Sequence, residues 1–121
     1  MCLDEVFSSR PKAAGYGWKV YELSGRALTG IYMEYSAAEG EWLKAPDTND
    51  PDVGFHIYKS KRCAEKFLKY SRIHARGDRF AIVRVRYRKA HAHGRGDGGF
   101  SNAVVVVAKE MFIYPRKKAG Q

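Results

Sequence analysis

The chain has 121 residues, 45% of them apolar and 29% charged, with a formal net charge of +9, which is enough for one hydrophobic core and too apolar for a disordered segment. No apolar run approaches the roughly 18 residues that a membrane helix needs; the longest, residues 103–108, has the length of a strand. The charge is segregated, since residues 54–95 hold 13 of the 22 Lys and Arg against two carboxylates, Glu65 and Asp78, while residues 1–53 carry nine acids and five bases. A cation excess concentrated on one region attracts and steers anionic ligands. The expected partner is therefore a polyanion, either nucleic acid or an acidic protein.

In chain order, residues 1–14 predict a flexible arm, and residues 15–115 a single domain. The start of the chain lacks the basic and apolar regions of a secretion signal, so a cytoplasmic location is expected, with Cys2 and Cys63 both reduced. Residues 17–23, with Trp18, Val20 and Tyr21, read as a strand. Ser24-Gly25 ends it, and residues 27–35 read as its hairpin partner. A third short strand is expected around Trp42 and Leu43. Residues 45–53 concentrate Pro, Asp and Asn and predict a loop.

Residues 54–58 (Gly-Phe-His-Ile-Tyr) predict a short aromatic strand, after which Ser60 can cap a helix over residues 61–74. Cys63, Ala64, Phe67 and Leu68 fall on one face of that helix and predict its buried side. Arg62, Lys66, Lys69 and Arg72 line the opposite side as a basic ridge. Residues 76–78 supply a turn. From residue 80 to 92 the pattern alternates, with Ala81, Val83, Val85 and Tyr87 facing one way and Arg84, Arg86 and Arg88 the other, which predicts an antiparallel strand with one wet face. Residues 94–99 read as a glycine loop, 102–108 as a central valine strand, 110–114 as a last short strand and 116–121 as a disordered basic tail. The sum is an α+β domain: a curled, mostly antiparallel sheet of five to seven strands with one principal helix.

The succession of Met1-Cys2-Leu3, Lys19-Val20-Tyr21, residues 40–45 (Gly-Glu-Trp-Leu-Lys-Ala), Gly54-Phe55-His56 before a helix, and residues 80–85 resembles a family of small uncharacterised bacteriophage and prophage proteins whose landmark is a Gly-Phe-His tripeptide. That resemblance implies a mobile-element setting and no particular activity. A fainter similarity is to the ADP-ribosyltransferase fold, in which a glycine-aromatic strand precedes a serine-bearing helix near the nicotinamide; residues 54–58 and Ser60 match that part. The similarity implies NAD or nucleotide binding, active or degenerate. The position where such enzymes carry a catalytic glutamate holds Ser101-Asn102-Ala103, and the nearest carboxylates are Asp97 and Glu110. Without that carboxylate a binding descendant is expected rather than an enzyme.

The nucleic-acid contacts expected from the residues are Arg62, Lys66, Lys69 and Arg72 on the helix, Arg84, Arg86 and Arg88 on the strand, and Arg95 at the glycine loop, because cationic side chains neutralise phosphates and release counterions. Tyr58, Tyr70 and Tyr87 are the aromatics expected to stack on unpaired bases. The alternative is a solvated face, although such faces usually mix signs. An inhibitor of a host protein would use the same charge. His56, at a strand entry where a backbone can approach a ligand closely, forms with Tyr58 and Tyr21 a candidate ligand pocket; otherwise its ring bonds to backbone near the 45–53 loop. His91 and His93 share a strand face but lack metal-ligand spacing, so no metal is expected. Cys63 reads as a small core residue. Cys2, a nucleophile if Met1 is removed, has no identifiable base. Residues 94–99 lack the ending of a phosphate loop, and no cofactor is expected.

Overall fold

The computed structural model describes residues 3–24, 27–29, 36–48, 50, 53–70, 80–96 and 103–115. Among them are eight strands and one helix: β1 (Leu3–Val6), β2 (Gly15–Ser24), β3 (Ala27–Thr29), β4 (Ser36–Ala37), β5 (Trp42–Lys44), β6 (Phe55–Tyr58), α1 (Lys61–Tyr70), β7 (Phe80–Gly96) and β8 (Ala103–Ile113). The strands make one antiparallel sheet in the order β1-β7-β8-β6-β2-β3-β4, with β5 on β8 and a further pairing between β2 and β7. That last pairing closes β2, β7, β8 and β6 into a ring, so the sheet curls on itself. The α+β class, the curled antiparallel sheet and the single principal helix are as expected.

Alternation along β7 explains the curl. Val83, Val85 and Tyr87 are buried while Arg84, Arg86 and Arg88 are exposed, so the apolar face must turn inward. Inside the ring they meet Tyr21, Ile57, Val106, Ala108, Met111 and Ile113, none more than 3% exposed. A second cluster lies on the outer face, where Val20, Tyr58 and Val105 meet Ala64 and Phe67 of α1. Helix α1 starts as expected, with the Cys63 N–H donating to the Ser60 Oγ at 3.2 Å, which satisfies one of the open donors of its first turn. It packs Ala64 and Phe67 inward, with Cys63 and Leu68 half-buried beside them. Residues 71–74, expected in the same helix, lie outside the described residues.

Three segments differ from the expectation. Leu3–Val6, assigned to the arm, form an edge strand on the far end of β7, with Leu3 opposite Gly96 and Val6 opposite Gly94. For the same reason β7 continues through Gly96 instead of ending at a glycine loop: pairing on both sides, to β1 and β8, overrides the weak strand preference of glycine. The valine segment and residues 110–113 are one strand, β8, rather than two. β7 and β8 also skip alternation together. Tyr87 and Ala90 both pack on the inner core, as do Ala108 and Met111; Lys89 adopts a left-handed φ of 59° and the register shifts between Ala90 and Ala92. An irregularity of this kind bends a strand pair and sharpens its twist.

Candidate nucleic-acid interface

Residues directly opposite one another in a ladder share a face, so register locates the outward side chains. On the outer face, Tyr16 of β2 stands opposite Arg86 of β7, Arg86 opposite Phe112 of β8, and Phe112 opposite Trp42 of β5. The result is a row across four strands, each about 4.8 Å from the next. A second row holds Trp18 opposite Arg84, with the Tyr114 N–H donating to the Arg84 carbonyl at 3.1 Å. A third holds Arg88 and Lys44, each opposite Glu110.

Cations and rings interleave in these rows. The Arg84 guanidinium lies 5.4 Å from the Tyr16 ring centre and 5.9 Å from that of Tyr114. Arg86 lies 6.0 Å from Tyr16 and 5.9 Å from Trp42, and Arg88 lies 3.9 Å from Trp42. The rings also touch one another: Trp42 with Phe112 at 5.8 Å, and Phe112 edge-on to Tyr114 at 5.5 Å. Each cation over a ring contributes roughly 0.5–1 kcal/mol at an exposed site. The seating also restricts planar guanidinium groups that would otherwise sample many rotamers, which lowers the entropy lost when they meet a phosphate.

Among the described residues, no carboxylate pairs with Arg84 or Arg86, whereas Arg88 is engaged. Its Nε contacts Glu110 Oε1 at 2.5 Å and Lys89 Nζ contacts Oε2 at 2.7 Å, with Glu110 itself only 5% exposed. Hydrogen bonds from Lys89 and Arg88 outweigh the opposing effect of burial and hold the Glu110 carboxyl below its usual range. The triad keeps a net charge of +1 on the face, with the Arg88 side chain still 46% exposed.

Helix α1 packs on this same side of the sheet. Val20 stands opposite Ile82 and Glu22 opposite Phe80, and Val20, Trp18, Phe80 and Ile82 pack in the cluster that seats the helix. The helix thus covers one end of the outer face, and the arginine rows lie further along β2 and β7. Arg84 is two residues, about 7 Å, along β7 from Ile82. On the side of α1 turned away from the sheet, Arg62 and Lys69 are exposed and Lys66 is half-buried. Arg72 lies outside the described residues.

Other expected sites are placed differently. Arg95 is in β7, not at a loop tip; it contacts the Glu5 carboxylate at 3.5 Å and lies 5.8 Å from the Phe7 ring. The candidate pocket of His56, Tyr58 and Tyr21 does not assemble: Tyr21 points into the ring and Tyr58 under the helix, 0% and 1% exposed, and they belong to different clusters. His56 is buried, its Nδ1–H donating to the Gly54 carbonyl at 3.2 Å, while Lys19 Nζ donates to the His56 carbonyl at 3.0 Å. Gly54 has a φ of 135°, and a side chain there would meet the Ala108 carbonyl at 2.8 Å. Gly54, Phe55 and His56 therefore shape the entry to β6. Tyr58 and Tyr87 are buried rather than available for stacking; the Tyr70 side chain lies outside the described residues.

The two strand histidines serve different loops. His91 Nε2–H donates to the Asp50 carbonyl at 3.0 Å, and His93 Nε2–H to the Ser9 carbonyl at 2.8 Å. No group of three or more His, Cys, Asp or Glu among the described residues is close enough to hold a metal ion, and Cys63 is a half-buried free thiol. The aromatics of the face, Tyr16, Trp42, Phe112 and Tyr114, are not among the stacking residues that the sequence singles out. Their shared parity with Trp18 on β2 and Glu110 on β8 is a usable signal, but only register joins them to the arginines. No helix of the described residues is long and apolar enough to cross a membrane. Comparison with family models, with curated proteins and with solved structures matches nothing to this chain.

Proposed function

We propose that this domain binds nucleic acid through the outer face of its sheet, with Arg84 and Arg86 contacting phosphates and Arg62, Lys66 and Lys69 of α1 extending the cationic track. The observation that carries the reading is the arginine pair on β7: exposed, seated over aromatic rings, without a carboxylate partner among the described residues, and on the side of the sheet where the basic helix lies. A face that served only solubility would mix signs and avoid exposed aromatics. The proposed setting is the host cytoplasm implied by the resemblance to bacteriophage proteins.

Fluorescence anisotropy with labelled DNA and RNA tests the reading. Binding is expected at about 50 mM salt, weakening steeply by about 200 mM, with polyglutamate competing poorly. Absence of binding to every nucleic acid at the lower salt overturns it, and polyglutamate binding as tightly as nucleic acid would transfer the surface to an acidic protein.

A further inference from the structure

Resting on the nucleic-acid reading, we infer that this face takes single strands in preference to duplexes, with unpaired bases stacking on the Tyr16 ring while phosphates lie on Arg84 and Arg86. Three large apolar side chains stand out as exposed among the described residues, Val6, Tyr16 and Val104, and Tyr16 is 48% exposed. It is the one of the three whose register places it opposite an arginine of the outward row. Its ring is nearly parallel to that of Tyr114, at 22° with centres 6.4 Å apart, and the Arg84 guanidinium lies over both. Flat groups aligned in this way make a step on which another flat group stacks.

A duplex hides the faces of its bases and offers this surface only phosphates. A single strand offers both, and base–aromatic stacking adds to the ionic contribution with little dependence on sequence. Two cations flank the exposed Tyr16 ring, Arg86 opposite it in the ladder and Arg84 over it. Phosphate and base are the two groups that alternate along an unpaired strand.

The test compares oligothymidylates of about 4, 8 and 16 nucleotides with a DNA hairpin duplex of matched charge, using the wild-type chain, Tyr16→Ala and Tyr16→Phe. Expected results are tighter binding of the single strand by wild type, a loss of about 5- to 100-fold for single strands in Tyr16→Ala, a smaller loss for the duplex, which forfeits only the seating of Arg84 and Arg86 on the ring, and near wild-type binding in Tyr16→Phe. Equal affinity for both forms, or an equal loss on both in Tyr16→Ala, overturns the single-strand inference and leaves the ionic reading standing. Failure of wild type to bind either form overturns the ionic reading itself. Should Tyr16→Ala fail to fold, the tryptophan fluorescence of wild type decides: bases stacked on this face are expected to quench it with oligothymidylate more strongly than with the duplex, and no difference between them overturns the inference.

Discussion

Removing the charge of Arg84 and Arg86 together should change not only the affinity for nucleic acid but its dependence on salt. Arg84 and Arg86 on β7, Arg62, Lys66 and Lys69 on α1, and the net +1 of the Arg88–Lys89–Glu110 triad amount to about six effective phosphate contacts on one face. For a single strand the slope of log affinity against log salt is then about −0.7 per contact, or about −4, so raising salt from about 50 to 200 mM weakens binding roughly 300-fold. With Arg84→Gln and Arg86→Gln about four contacts remain; the slope falls to about −3 and the same salt step weakens binding only about 50-fold. Anisotropy titrations at four or five salt concentrations measure both slopes, and circular dichroism checks that the variant is folded. The two side chains are exposed and cover no core, so folding should persist. An unchanged slope in the double variant, or a wild-type slope shallower than about −1, would refute this assignment of contacts.

Other outcomes follow from the packing. Gly17→Ala should destabilise the fold by about 1–3 kcal/mol or more, because the added carbon would run into the Ile57 side chain and lie 2.6 Å from the Tyr58 carbonyl, where backbone cannot yield; an unchanged urea midpoint would contradict the close approach of β2 to β6. Ser60→Ala should remove the cap of α1, costing about 1 kcal/mol and lowering the melting temperature by about 4 °C, while Ser60→Asp restores it. Because folding lowers the Glu110 carboxyl below its usual 4.5, its contribution is complete above that pH and is lost as the pH falls through the lower folded value. The stability gap between wild type and Glu110→Gln should accordingly be constant near neutrality and shrink below about pH 4.5. A gap independent of pH would show that Arg88 and Lys89 do not act on the ionised carboxylate.

Local chemistry is legible in the sequence wherever one physical cause dominates. The two-residue period of β7 follows from one wet and one dry face, so the alternation alone gives the outward direction of Arg84, Arg86 and Arg88. The helix start follows from Ser60, and its buried side from Ala64 and Phe67. The end of β7 is not legible in this way, because Gly94 and Gly96 have the chemistry of a loop until β1 and β8 pair on either side of them. Arg95 moves from a loop tip into the strand with them. Nearness in sequence or type groups His56, Tyr58 and Tyr21, but alternation sends Tyr58 and Tyr21 to opposite sides of the sheet.

The amino-acid order by itself therefore determined an α+β chain, a basic middle third and the side of each isolated element that carries its charge. The partners of those sides were decided by tertiary structure. Tyr16, Arg86, Phe112 and Trp42 come from four strands spread over most of the chain and share a row only through three antiparallel registers. The helix and the arginine strand share a face because Val20 and Ile82, opposite each other in the ladder, both pack in the cluster that seats α1. Periodicity is a property of neighbours along the backbone. Register is set by the closure of the whole ring, where shifting one strand by a single residue would turn its buried side outward, and so it exists only once every strand has found its place.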